Sequence, residues 1–280
     1  MTLINQIINS IFDILLFPFQ SMNQFWGIFF ISILSGLLLI YIFKITSNQK
    51  AIKRVKNRIK SHIFEIRLFD LNPSRLFGVL FKILGQNLKY ISYSAVPLLF
   101  MIIPVILILV QLNFRYGLRA HYPGEKTLLK IYLAQDTDIL SIHPAIDTKG
   151  QAVVDAGPFR NLAGNYIAYQ LKVTEPGNDW IDIELNQGND SYKIRKLFNN
   201  LLDKRRYSDK KPSGKALDVI LYPFEKPVKK TDSGIVKEIT MSYNENRISV
   251  LGIKMHYIIF FFIFSLAGGF LFKGAVGAEI

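Results

Sequence analysis

The chain contains no cysteine, which excludes disulfide scaffolding, thiolate metal sites and thiol redox chemistry. Histidine is scarce too: His62, His121, His143 and His256 are the full set, no two within four residues of each other and none in a metal-ligand pattern with a carboxylate. A G-x-S-x-G, an H-E-x-x-H and a phosphate-cradling glycine loop are also missing, and Ala267-Gly268-Gly269 falls inside an apolar run where it cannot serve as one. Asp136 with Asp138, and Asp179 and Asp182 with Glu184, could hold calcium or act as an acid pair, but the solvation of turns and edge strands accounts for them. These gaps speak against an enzyme and against any metal or organic cofactor.

Charge is missing in a more informative way. Residues 25–43, 95–112 and 255–272 contain no Asp, Glu, Lys or Arg, and each is close to the roughly 20 residues that cross a bilayer. Globular helices rarely carry such runs without a polar face, so the sequence predicts three membrane spans. The first 43 residues lack the positive start, short apolar stretch and small-residue cleavage site of a secretory signal.

Orientation follows from the cations. No Lys or Arg precedes Lys44 and Asp13 is the only acid there, whereas residues 44–94 carry eleven Lys/Arg against Glu65 and Asp70. That short basic segment should face the cytoplasm. Residues 113–254 hold 22 Lys/Arg and 17 acids, and loops this long cross largely regardless of charge. The expected plan is an outer amphipathic helix at 1–24, a span at 25–43, a cytoplasmic basic helical hairpin at 44–94, a span at 95–112, an extracytoplasmic domain at 113–254, a span at 255–273 and a cytoplasmic tail at 274–280. The N-terminus is then outside and the C-terminus inside, as in a bacterial inner membrane. The formal net charge of +13 is mainly a topology signal, and sequence-specific nucleic-acid binding is not expected.

In the first segment Leu3, Ile4, Ile7, Ile8, Ile11, Phe12, Leu15, Leu16 and Phe19 recur at helical spacing opposite Asn5, Gln6, Asn9, Ser10 and Asp13. The pattern predicts a helix on the outer membrane surface or packed on the outer domain. In the hairpin, Ile52, Val55, Ile59, Ile63 and Ile66 alternate with Lys53, Arg54, Lys56, Arg58 and Lys60, the candidate contacts for a client or for anionic lipid. Asn72-Pro73 marks a restart, followed by Leu76, Phe77, Leu80, Phe81, Leu84, Leu88 and Ile91 as a second apolar stripe. The two stripes bury each other, or one lies on the membrane. Pro97 and Pro104 interrupt the second span; none of the spans has a charged residue at its centre, which weakens a channel or transporter reading.

Residues 118–254 predict a mainly β, sandwich-like domain. Period-2 alternation marks Thr127 to Leu133, Ile167 to Val173, Trp180 to Leu185, Ala216 to Tyr222, Ile235 to Met241 and Arg247 to Leu251, with turn clusters between. Ile194, Leu197, Phe198, Leu201 and Leu202 fit a short helix, and 203–214 an exposed loop.

An outer amphipathic helix, a span, a basic inner hairpin, a span beginning at proline and an outward connection to a third span resemble the YidC/Oxa/Alb superfamily of membrane-protein insertases. The three-span archaeal YidC-like proteins and the third subunit of the ER membrane protein complex are nearest in plan. Pro97-Leu98-Leu99 followed by Pro104-Val105 is similar to the stretch with which YidC proteins begin their second span. The resemblance covers about 1–112 and 255–273. The proline spacing is one residue longer here, and the first span lacks the arginine that many bacterial members place in their groove, so no groove arginine carries over. What the resemblance implies is assistance to membrane-protein insertion without nucleotide hydrolysis. The partners implied are the lipid bilayer, nascent or partner membrane proteins and the ribosome, and the candidate groove residues are Ser32, Ser35, Pro97, Pro104 and Gln111. The alternative is a membrane-anchored scaffold whose outer β domain binds a partner.

Overall fold

The described residues form six α-helices: α1 (Leu3–Leu16), α2 (Gln24–Thr46), α3 (Gln49–Leu68), α4 (Pro73–Leu112), α5 (Ala216–Leu221) and α6 (Tyr257–Val276). The computed structural model describes residues 3–68, 72–135, 137–175, 180–188, 190–198, 207–228, 234–250 and 252–278. It divides into two units, Met1–Ile28 with Leu109–Tyr257, and Phe29–Ile108 with Ile258–Ile280. Helices α2, α4 and α6 are long and apolar enough to cross a membrane, so the chain is an integral membrane protein.

In the helical unit, Asn48 caps α3 by accepting the Ala51 amide through Oδ1 at 3.0 Å. Only the first turns of α3 are buried, at Ala51, Ile52 and Val55. The stripe expected to continue along it surfaces at Ile63, which is exposed. Asn72 and Pro73 start α4 as the sequence predicts, the Asn72 carbonyl taking the Leu76 amide at 3.0 Å. Asp70 and Leu71 of the turn lie outside the described residues.

Helix α4 departs from expectation in running for 40 residues, joining the second hairpin helix and the second span into one element. The cap-type residues between Ile91 and Pro97 are Ser92 and Ser94, and the Ser92 hydroxyl is committed within the helix, donating to the Leu88 carbonyl at 3.0 Å rather than capping a new start. Both Pro97 and Pro104 lie inside it. Nor does α3 cover the apolar stripe on its first half: Phe77, Leu80, Phe81, Leu84, Leu88 and Ile91 are all exposed.

The other unit holds the strands β1 (Leu118–Arg119), β2 (Lys126–Leu133), β3 (Ile142–Asp147), β4 (Ala152–Asn161), β5 (Tyr166–Val173), β6 (Trp180–Gln187), β7 (Asp190–Leu197), β8 (Lys210–Lys211), β9 (Val236–Met241), β10 (Asn244–Glu245), β11 (Arg247–Val250) and β12 (Ile253–His256). They form a five-stranded sheet in the order β4-β5-β2-β9-β8, a three-stranded sheet β3-β6-β7, and the ribbons β1-β10 and β11-β12. Every pairing is antiparallel. A turn that is left-handed at Lys149 (φ 52°) and Gly150 (φ 79°) carries the chain from β3 to β4, from one sheet to the other. Alternate residues of β2, β5, β6 and β9, among them Leu129, Ile131, Leu171, Ile183 and Ile239, meet in one hydrophobic cluster fed by both sheets.

Two local expectations fail. Ile194, Leu197 and Phe198 belong to β7 and its end rather than to a helix, while Leu201 and Leu202 lie outside the described residues. The inward positions of β7 include Lys196, fully buried, and a lysine at a core position breaks the period-2 signal. Residues 216–221 form α5 rather than a strand; Ser213 donates to Asp218 Oδ2 at 2.6 Å and closes its first turn, a local bond that outweighs an ambiguous six-residue apolar run. The 203–214 run also includes β8, paired to β9, and 203–206 lie outside the described residues.

Candidate functional site

The spanning helices carry small and polar groups where they pack. Ser32 and Ser35 of α2 are buried, as is Ser265 of α6. A Cβ on Gly36 would run into the Ser265 carbonyl and lie 2.9 Å from the Gly269 nitrogen, and one on Gly268 would lie 3.1 Å from the Ile33 oxygen. Glycine is therefore required for the close α2–α6 approach. Lys44 at the end of α2 donates to the Val276 carbonyl at 2.6 Å, so the C-terminal ends of these two helices lie together.

Helix α4 has two dissimilar faces. Pro97 and Pro104, seven residues apart, share a face with Val79, Gln86 and Ile108; Val79, Pro97 and Ile108 are buried and Gln86 and Pro104 half-buried. Each proline withdraws the donor that the carbonyl four residues earlier would otherwise receive, at Tyr93 and Phe100. Gln86 Oε1 and Ser94 Oγ are buried without a hydrogen-bond partner among the described residues. Towards its start, a cleft of about 540 Å³ opens between α3 and α4, lined by Arg58, Ser61, His62, Lys82, Gly85, Gln86 and Lys89. None of these is acidic, and Glu65 of α3 lies 3.0 Å from His62 Nδ1. Of the basic candidates, Arg58 lines this cleft; Lys53, Arg54 and Lys60 are exposed on α3 and Lys56 half-exposed.

Gln111 does not join the other candidate groove residues. It belongs to the β-rich unit, where its Nε2 donates to Asn9 Oδ1 at 2.7 Å and its Oε1 accepts from Arg115. Arg115 also donates to Asp13 Oδ1 at 2.7 Å and lies over the rings of Phe12 and Phe224 at 5.6 and 4.8 Å. Asn5 and Asn9 donate to the carbonyls of Val219 and Pro223. Asn5 and Asn9 of the polar stripe of α1 are thus turned into the protein together with Phe12 and Leu16, whereas Leu3, Ile4, Ile7 and Ile11 of its apolar stripe are exposed, as are Gln6 and Ser10. Arg115 was not singled out by the sequence; its signal is that it is the first cation after an apolar span and lies four residues after Gln111.

The β-rich unit holds a second polar centre. Lys196, which donates to Glu225 and to the Ser208 carbonyl, is fully buried, and so is Glu225. Asp209 lines a cavity of about 310 Å³ with Leu118, Lys130, Tyr132, Thr240, Met241, Ser242 and Tyr243. Burial pushes the Asp209 carboxyl above its ordinary value, against the pull of Lys196. Of the acid clusters, Asp182 is held by Lys149 and Arg195, Glu184 receives the Ser191 hydroxyl, and Asp136 and Asp179 lie outside the described residues.

Arg119 grips Glu125 through two nitrogens at 3.0 and 2.8 Å, and the Tyr122 amide adds a third bond at 3.0 Å. These bonds hold the Glu125 carboxyl down at about 2. Burial pushes the His121 imidazole below its ordinary 6.5. Both groups bind protons more readily once unfolded, so their stabilisation is lost on acidification, that of His121 below 6.5 and that of Glu125 between 4.5 and about 2. Asp209, shifted upward, acts in the opposite sense, its contribution fading as pH rises. Acid titration of the full chain in detergent, followed by Trp180 fluorescence in a Trp26→Phe background, should show an acid limb whose lower part disappears in Glu125→Gln. An identical limb in that variant would refute this account.

Comparison with protein-family models, with curated proteins and with solved structures finds no match.

Proposed function

We propose that this protein is an insertase-like factor of the YidC/Oxa/Alb kind, which helps polar-flanked segments enter or assemble in the bilayer without nucleotide hydrolysis. The carrying observation is the α3–α4 arm: a basic 20-residue helix followed by a helix that continues unbroken into the second span. A simple anchor needs no such insert. Buried Ser32, Ser35 and Ser265, and the carbonyls released by Pro97 and Pro104, supply polar groups at span depth. Polar groups there lower the cost of passing a charged residue, about 2.5–3.5 kcal/mol at a helix centre.

In this reading the arm and both the Lys44 and Val276 ends face the cytoplasm, the sandwich-like β unit lies outside, and the membrane is a bacterial inner membrane. Clients are nascent membrane proteins, with the ribosome as a further partner of the basic face. The second reading, an envelope scaffold, is favoured by the Asp209 cavity of the β unit, which would receive a partner's donor groups.

The test replaces Lys53, Arg54, Lys56, Arg58 and Lys60 by glutamine, which removes five charges at little cost in helix propensity or in stability, since exposed charges contribute little. Orientation is verified first by thiol labelling near Lys60 and near Asp209. The expected result is loss of client crosslinks from the arm and reduced client insertion. Normal insertion by a correctly oriented, normally abundant variant would remove the basic face from the mechanism and favour the scaffold.

A further inference from the structure

The exposed apolar row of α4 is too long for the bilayer. It begins at Phe77 and continues through Leu84, Ile91 and Leu98 to Ile106, all exposed. At 1.5 Å per residue this is about 44 Å of helix, against roughly 30 Å of hydrocarbon. A straight helix would have to tilt by about 45° to hide it, beyond the range of about 0–40° seen for spans. The first half of α4 is different in kind from the second: Arg75, Lys82 and Lys89 stand on the side opposite Phe77, Leu80, Phe81, Leu84, Leu88 and Ile91. A basic face set against an aromatic and aliphatic one marks a helix that lies in the plane of the interface. Two of those cations, with Arg58 of α3, line the acid-free cleft of about 540 Å³, beside the Ser61 hydroxyl and the Gln86 amide.

We propose that α4 bends at Pro97, where the Tyr93 carbonyl has lost its donor, so that its first half lies along an acidic phospholipid surface with its apolar row sunk to the headgroup boundary, while Arg58, Lys82 and Lys89 on the side away from the hydrocarbon draw the acidic headgroups electrostatically. The row is continuous with that of the spanning half, so the covering material is the same lipid. RNA would match the cations but would leave six large apolar side chains in water. The inference does not depend on the insertion reading: an anchor with this arm would bind the same surface.

The native chain has no cysteine, so single thiols can be placed directly in the full-length protein. A polarity-sensitive label is attached at Phe81→Cys, Leu84→Cys or Leu88→Cys, and at Gly78→Cys, where an added Cβ meets open space. The protein is reconstituted in vesicles of phosphatidylcholine with or without phosphatidylglycerol. Labels at 81, 84 and 88 should be quenched by acyl-chain bromine at least about twofold more than the label at 78, and more so with phosphatidylglycerol present. Combining Arg58→Gln, Lys82→Gln and Lys89→Gln should abolish that dependence on phosphatidylglycerol, and inorganic phosphate should not substitute for it. Equal aqueous iodide quenching at all four positions would overturn the proposal. So would protection from both quenchers, either by a second labelled copy or on adding ribosomes. Equal depth in both vesicle types would overturn the role of these cations.

Discussion

Lys196→Met lowers the stability of the β-rich unit by about 3–5 kcal/mol, the expected cost of removing one partner from a buried ion pair. Lys196 and Glu225 are both wholly inaccessible, and the ammonium also donates to the Ser208 carbonyl at 2.7 Å and the Leu197 carbonyl at 3.3 Å. Methionine fills the space of the lysine stem but leaves the Glu225 carboxylate buried with, among the described residues, the Leu197 amide at 3.4 Å. The double variant Lys196→Met/Glu225→Leu removes both charges and should recover most of the loss, because two apolar side chains of similar volume replace the desolvated pair. Guanidinium unfolding of the full chain in detergent measures this through Trp180, whose strand position pairs with Leu197, in a Trp26→Phe background. A single variant that loses less than about 1 kcal/mol would show that the pair is solvated in solution.

Arg115→Met releases helix α1. The guanidinium is 4% exposed and gathers Gln111, the Asn9 carbonyl and Asp13, so its removal strands acceptors on both α1 and α4. Asp13 keeps some solvent, its side chain being 30% exposed, which limits the expected loss to about 2–3 kcal/mol. The readout is local. A thiol introduced by Leu16→Cys is buried beneath α1 and should react slowly; adding Arg115→Met should raise its labelling rate by at least about tenfold, as local opening requires less free energy. Arg115→Lys should not restore protection, because an ammonium cannot reproduce the planar fork that reaches three partners and stacks on Phe12 and Phe224. Unchanged labelling in Arg115→Met would mean that the asparagine bonds of Asn5 and Asn9 suffice to hold the helix.

The spans were legible in the sequence because a bilayer demands long uninterrupted apolar runs, and 25–43, 95–112 and 255–272 meet that demand without reference to anything else in the chain. Strands with clean alternation, such as Lys126–Leu133 and Trp180–Gln187, were legible for a similar local reason. Legibility ended where a distant partner changes what a residue can do. Lys196 reads as surface until Glu225, 29 residues on, makes its burial tolerable. Asn5 and Asn9 read as the wet side of α1 until carbonyls more than 200 residues away and Arg115 take them in, leaving Leu3, Ile4, Ile7 and Ile11 outward. Gln111 belonged by sequence with the groove candidates, yet its amide is committed to α1. Composition and periodicity by themselves determined that the chain crosses a membrane and carries a β-rich unit and a basic arm. Only the tertiary structure decided which face of each amphipathic helix is covered, because burial of a polar or charged group is settled by hydrogen-bond partners that sequence spacing does not bring together.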